Sequence, residues 1–353
     1  MAENSNKPDA EALPQTIRIN RLIALWALSE AALGGILHAF RIPFTGLVVN
    51  SSAVLFMVLI ASASEKKGTV LRAMIIVIII KGIISPHSPL AAYVAVAFQG
   101  IMGELLLRSK KHWLLSTLAL GIITLFQSAV QKILTLTIVY GKVLWESVDI
   151  FGNFLVNRIP FLADFSEHVN FSLWLISIYI GIHLIAGIVV GIFAARVPAW
   201  LESEINNHDQ TYRIDFIPAN VERPDSKKRR RGLRKPSLII ILSLAATLFI
   251  SSYLFPEISR SQGMKAAAMI VRAAFIMLLW YTLLGPLLMK LYGRMIKHKK
   301  TAYAAQIHEA IDILPTLRYI IQKSWKNSRD RNGGNRLKVF VIRSLAIILT
   351  VEM

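Results

Sequence analysis

Long apolar runs alternate along this chain with short polar breaks, and most of the breaks are basic. Runs long enough to cross about 30 Å of hydrocarbon fall at about 20–40, 46–63, 70–85, 89–107, 113–140 and 173–197. Two more follow at about 238–255 and 269–290. The pattern predicts an all-α integral membrane protein with eight spans. Between the sixth and seventh runs stands Lys227-Lys228-Arg229-Arg230-Arg231-Gly232-Leu233-Arg234-Lys235. Basic residues beside a span stay on the cytoplasmic side, so this run is an orientation anchor. It also divides the chain. The expected parts are a polar tail (1–19), a six-span membrane domain (20–201), a basic linker (202–236), a two-span region (237–295) and an amphipathic tail (296–353).

The other connections agree with one orientation. Lys66, Lys67 and Arg72, then Arg108, Lys110 and Lys111, share the side of the basic run, as does the stretch beginning Lys290, Arg294, Lys297, Lys299 and Lys300. The opposite connections are poor in Lys and Arg. Both termini are therefore expected in the cytoplasm, with the protein in the plasma (inner) membrane.

Two segments outside the spans carry their own pattern. Residues 141–172 are too long for a tight turn and hold Trp145, Phe151, Phe154, Phe161, Phe165 and Phe171 among polar residues. One or two surface helices broken at Pro160 are expected there, serving either as a passive interfacial element or as a lid. In the tail, Ile307, Ile311, Leu314, Leu317, Ile320 and Ile321 recur at helical spacing. They predict a helix from Thr301 to about Trp325, bent at Pro315. A second is expected after the Asn332-Gly333-Gly334 turn, with Val339, Ile342 and Ala346 inward.

Composition narrows the function. With 54% apolar and 17% charged residues, the 353-residue chain is too apolar for an ordinary soluble domain. The net charge of +19 does not imply nucleic acid, because most of the excess falls in loops on one side of the membrane. The absence of cysteine excludes disulfides and thiolate metal sites. The first 15 residues lack the pattern of a cleavable signal. No Walker-A loop, aspartate-rich cluster, His-Glu-x-x-His or Gly-x-Ser-x-Gly occurs, so no enzyme activity and no cofactor are expected.

The first span carries Ala27, Ala31, Gly35 and Ala39 at four-residue intervals, a small-residue ladder that lets another backbone approach closely. That partner is either a helix of the same bundle or a separate membrane subunit. Glu30 lies in the same span, and an ionisable group at that depth usually faces protein or water. Lys81 is expected to snorkel at the end of the third span, and Glu104 to pair with Arg108 one turn on. The polar candidates for a binding site are His87 and Ser88, Tyr93 and Gln99 on the fourth span, Gln127, Gln131 and Lys132 on the fifth, and His183 on the sixth. Singly, each suits interhelical hydrogen bonding. As a set in one half of an apolar bundle they suit a small polar solute. Two scattered histidines are no metal site.

Six spans in about 180 residues, the alanine ladder, and the stretch Ile84 to Leu107 (ISPHSPLAAYVAVAFQGIMGELLL) together resemble the substrate-binding S component of energy-coupling-factor (ECF) transporters. In S components a Pro-containing loop similarly leads into a small-residue-rich fourth helix lining the vitamin pocket. The later region is similar to part of an ECF T component, in Lys235 to Leu248, in Val271 to Phe275 with Leu283 to Pro286, and in Ala310 to Leu317. The resemblance implies an S-component-like six-helix bundle that binds a vitamin-like small molecule, followed by two spans and cytoplasmic coupling-like helices. It further implies a separate ATPase subunit and possibly a T component as partners. T components end their coupling helices in Ala-Arg-Gly, where this chain has Ser328-Arg329-Asp330, which puts Arg329 at the expected ATPase contact. The alternatives are a tail resting on anionic lipid, and a non-transporting scaffold whose tail recruits a cytoplasmic protein.

Overall fold

The computed structural model describes residues 15–33, 44–85, 88, 90–158, 170–207, 262–287, 290, 294, 301–329 and 333–351. Every regular element among them is helical. Helix α1 spans Gln15–Leu28 and continues into a π-helical turn, Ser29–Leu33. Then follow α2 (Thr45–Ser62), α3 (Thr69–Ile84), α4 (Leu90–Leu107), α5 (Trp113–Tyr140), α6 (Lys142–Val156) and α7 (Phe171–Asn207). Beyond the linker lie α8 (Gln262–Leu279) with a second π turn, Trp280–Leu284, then α9 (Ala304–Asp312), α10 (Leu314–Asn327) and α11 (Gly333–Thr350). The expected span at 238–255 and the basic run 227–235 lie outside the described residues.

Among the described residues, four helical stretches are long and apolar enough to cross a membrane, at Thr45–Ser62, Lys110–Tyr140, Phe171–Asn206 and Met269–Leu287. They are compatible with a multi-pass membrane protein. The other expected spans fall short for visible reasons. The described part of the first, residues 15–33, carries Arg18, Arg21 and Glu30, and its later residues lie outside the described ones. Helix α3 has only 16 residues and carries Arg72 and Lys81, and the apolar stretch in α4, Ala91–Leu107, is a shorter one.

The most extensive helix pairing joins α5 to α7, and glycines make it possible. A Cβ placed on Gly187 would sit 2.8 Å from Ile122 Cα, and one on Gly191 would sit 2.7 Å from Leu118 Cα. Backbone therefore lies directly on backbone, the arrangement that a Gly-x-x-x-Gly pair permits where apolar burial between helices gains little. Facing these two is Gly121, whose Cβ would run into Gly187 O. Helix α4 uses Gly100 and Gly103 differently. They make room for the flexible side chains of Met74 and Met57. Helix α1 is the central post, with every residue from Asn20 to Leu28 buried, Trp26 included.

The tail folds back onto the bundle. Ile307, Leu314, Leu317 and Ile320 are buried as the period predicts, and Ile311 and Ile321 are partly buried against the same core. The single bent helix expected from Thr301 to Trp325 is two helices separated at Ile313. Pro315 sits in the first turn of α10, where its missing N–H costs no hydrogen bond. Gly333, at φ +58, opens α11 in a backbone conformation that side-chain-bearing residues rarely adopt. In α11, Ile342 and Ala346 are buried and Val339 is partly so.

Fixed polar contacts lock this end. The buried Arg21 guanidinium donates to Ile348 O at 2.7 Å and Val351 O at 2.6 Å, closing the C-terminus of α11. Asn20 Nδ2 donates to Glu309 Oε2 at 2.8 Å. Lys338 Nζ stands 3.9 Å from the centroid of the Trp200 ring, and Arg343 lies 3.7 Å from Glu204. Glu104 does not depend on Arg108. Its two carboxylate oxygens accept from Gly68 N at 2.6 Å and Leu71 N at 3.4 Å, capping the first turn of α3. This end carries the Lys66–Lys67 and Lys110–Lys111 connections, and we call it the basic end.

Candidate functional site

The polar groups toward the other end behave differently. On α4, Ala91, Ala95 and Gln99 follow at four-residue intervals and share a face. On α5, Thr124, Gln127 and Gln131 share another. One hydrogen-bond chain ties the two faces together. Gln127 Nε2 donates to Gln131 Oε1 at 2.8 Å, and Gln131 Nε2 donates to Ala91 O at 2.9 Å. Here the two glutamines serve interhelical bonding. The chain leaves atoms over. Both amide atoms of the fully buried Gln99, together with Gln127 Oε1 and Thr124 Oγ1, have no hydrogen-bond partner among the described residues. Ala91 and Ala95 are small, so the seam between the helices is walled by backbone rather than by long side chains.

His183 approaches the same depth from α7. Pairing of Gly187 with Ile122 and of Gly191 with Leu118 runs α5 and α7 antiparallel, which brings His183 level with residues near Leu125. Its Nδ1 lies 2.9 Å from Tyr179 O. A carbonyl only accepts, so Nδ1 carries the proton, and Nε2 is buried. No protein group among the described residues meets that nitrogen. The ring packs with Tyr179 at 4.4 Å and Phe44 at 6.0 Å between centroids.

Glu30 and Lys81 form a third group. Lys81 does not snorkel. Its ammonium is buried and donates to Glu30 Oε2 at 2.7 Å, with both side chains at most 6% exposed. Glu30 Oε1 and Trp26 Nε1 have no partner among the described residues. Glu30 sits within the π turn, a local widening of the helix that frequently marks functional positions.

The remaining candidates are placed as follows. Tyr93 is buried and donates to Ser85 O at 3.3 Å. Ser88 Oγ donates to Ser85 Oγ at 2.9 Å, and Lys132 is exposed. His87 lies outside the described residues, as do Gly35 and Ala39 of the ladder. Ala27 and Ala31, the described members, are covered by the chain's own helices. Arg329 is exposed, just past the end of α10. Sequence reasoning passed over Thr124, the buried Asn50 on α2, and the Gly187–Gly191 pair. The last had a signal, two glycines four apart in an apolar run. A shallow cleft of about 180 Å³ at the basic end is lined by Glu65, Lys66, Lys67, Glu104, Arg108 and Lys110 among others. Among the described residues no group of three or more His, Asp or Glu side chains is placed to hold a metal ion.

No protein-family model, no curated protein and no solved structure matches the chain.

Proposed function

We propose that this chain is a multi-pass membrane subunit that holds a small polar solute inside the bundle of α1–α5 and α7 and delivers it with a separate ATPase. This is the role implied by its resemblance to ECF S components. One observation carries the proposal. Gln99, Gln127, Thr124 and His183 present buried hydrogen-bonding atoms that the protein does not satisfy. Each such atom costs about 1–3 kcal/mol if left unmet, and several at one depth of an apolar bundle are explained by a bound polar molecule. The basic end faces the cytoplasm in this scheme, because its loops carry the Lys and Arg excess. The ATPase meets that end, where Arg329 stands free of the core.

The test is native mass spectrometry of the full chain purified in lipid nanodiscs. A small-molecule adduct is expected on the wild type and is expected to be lost in Gln99→Leu and His183→Phe. Absence of any adduct, together with unchanged uptake in cells carrying either variant, would sink the proposal. Topology is tested separately by introducing Ser226→Cys into the cysteine-free chain. Labelling from outside intact cells would reverse the orientation.

A further inference from the structure

Helix α6 presents two unlike faces. Its underside is fastened at three points. Asp149 accepts from Ser172 N at 2.7 Å and from Ser172 Oγ at 3.0 Å, holding the first turn of α7. Trp145 Nε1 donates to Thr137 Oγ1 at 3.0 Å on α5, and Gly152 lies beneath the Phe171 ring. The outer face is mostly apolar, with the exposed Glu146 and Ser147 at its start. Ile150, Phe151, Phe154 and Leu155 are all exposed, Phe151 by 61%. They share one side of the helix, since residues one, three and four apart gather on one face.

What covers this face follows from its neighbours. Only Gly141, at φ +71, separates α6 from α5, so the helix turns sharply off the end of a candidate span. The last turns of α5 expose Leu134 and Ile138, and the first turn of α7 exposes Leu173 and Trp174. The apolar side of α6 continues that same surface around the end of the bundle. Two exposed cations stand at its ends. They are Lys142 and Arg158, the latter with its guanidinium 5.0 Å from the centroid of the Phe154 ring.

We propose that α6 is a monotopic anchor lying in the outer leaflet, with Ile150, Phe151, Phe154 and Leu155 in the acyl boundary and Lys142 and Arg158 against lipid phosphates. It does not act as a lid. A lid must release its underside, and here the underside is bonded to both flanking spans. The inference rests on the membrane placement proposed above, and the test separates the two.

Single cysteines are introduced into the cysteine-free chain by Ser147→Cys, Phe151→Cys, Ile185→Cys and Lys66→Cys, each labelled with an environment-sensitive fluorophore. The full-length protein is reconstituted in phosphatidylcholine–phosphatidylglycerol vesicles. Quenching by aqueous iodide is compared with quenching by nitroxides at shallow and deep acyl positions. Probes at 147 and 151 are expected to show several-fold weaker iodide quenching than the probe at 66, and strongest quenching by the shallow nitroxide, at a depth of ~5–10 Å. Ile185, exposed in the middle of α7, should respond to the deep nitroxide. Position 151 quenched by iodide while 185 responds to lipid would overturn the anchor alone. Position 151 shielded from both quenchers would mean that protein, such as a second copy of the chain, covers the face, and would also overturn it. Iodide access at 185 would remove the membrane placement itself. Ser147→Cys leaves every apolar residue of the face intact, so the result survives misfolding of the Phe151 variant.

Discussion

The basic end and the far half of the bundle are built from the same apolar helices but treat their polar groups in opposite ways. At the basic end long-range polar contacts fasten the tail, although Arg18 Nε, Gln306 Oε1, Ser324 Oγ and Arg336 Nε are buried there without a hydrogen-bond partner among the described residues. Arg21 closes α11, Asn20 holds Glu309, and Glu104 caps α3. In the far half, Gln99, Thr124, His183 and Glu30 are as deeply buried yet keep atoms unmatched. Polar groups that are both buried and satisfied specify one arrangement. Groups that are buried and unsatisfied cost stability unless something else fills them. The contrast separates contacts that fasten the tail from buried atoms that the proposed solute would satisfy.

The sharpest way to break this contrast is the Glu30–Lys81 pair. Lys81→Met alone strands a buried carboxylate and is expected to cost about 3–5 kcal/mol. Combined with Glu30→Gln it should recover most of that loss. Thermal unfolding of the three proteins in one lipid preparation checks this, and an undiminished penalty in the double variant would show that the pair is not acting as a pair. The next largest effect is at the fixed end. Arg21→Leu removes two charge-assisted hydrogen bonds and exposes two orphan carbonyls, for an expected loss of about 3 kcal/mol. Limited proteolysis should then cut the tail before the bundle.

Gln99→Leu should move the other way. Replacing an unsatisfied buried amide by an apolar side chain of similar size is expected to raise stability by about 1–2 kcal/mol without solute, while removing solute binding. A loss of stability of that size would mean the amide is satisfied, and the two halves would no longer differ. Arg329→Glu has the smallest expected effect. Its side chain is exposed, so the melting temperature should not change, and only co-purification of an ATPase should weaken. If every single charge reversal in the tail weakens that association equally, Arg329 holds no special contact.

The tail was the most legible part of the chain. Its apolar period identified the buried residues of α9 and α10, because a helix with one wet face announces itself through spacing alone. The bend expected at Pro315 is a break at Ile313, two residues earlier, because Pro315 is accommodated in the first turn of α10. The membrane half was less readable. Apolar residues point in all directions there, and periodicity loses its contrast. Glu30 and Lys81 are 51 residues apart, so neither announces the other. Glu104 shows the same difficulty locally. Arg108 is its neighbour in sequence, yet the open amides of α3 offer better hydrogen bonds than a solvated charge does. The Gly187–Gly191 pair was visible in the letters, but which helix it faces depends on topology.

Helix α7 has a mechanical consequence. At 37 residues it is about 55 Å long, well beyond a hydrocarbon core of about 30 Å. A single rod thus carries His183 within the bundle and Trp200 and Glu204 at the tail, the latter about 31 Å further along at 1.5 Å per residue. Rotation by about 5° about one end would carry the other through roughly 3 Å over that length, enough to make or break a hydrogen bond. Pro198 lies between them, and it cannot donate to Ala194 O, which leaves one place along the shaft where the rod can flex. In the proposed scheme a solute in the seam near His183 would be connected to the tail by this shaft, and a displacement of the tail would reach the seam through it.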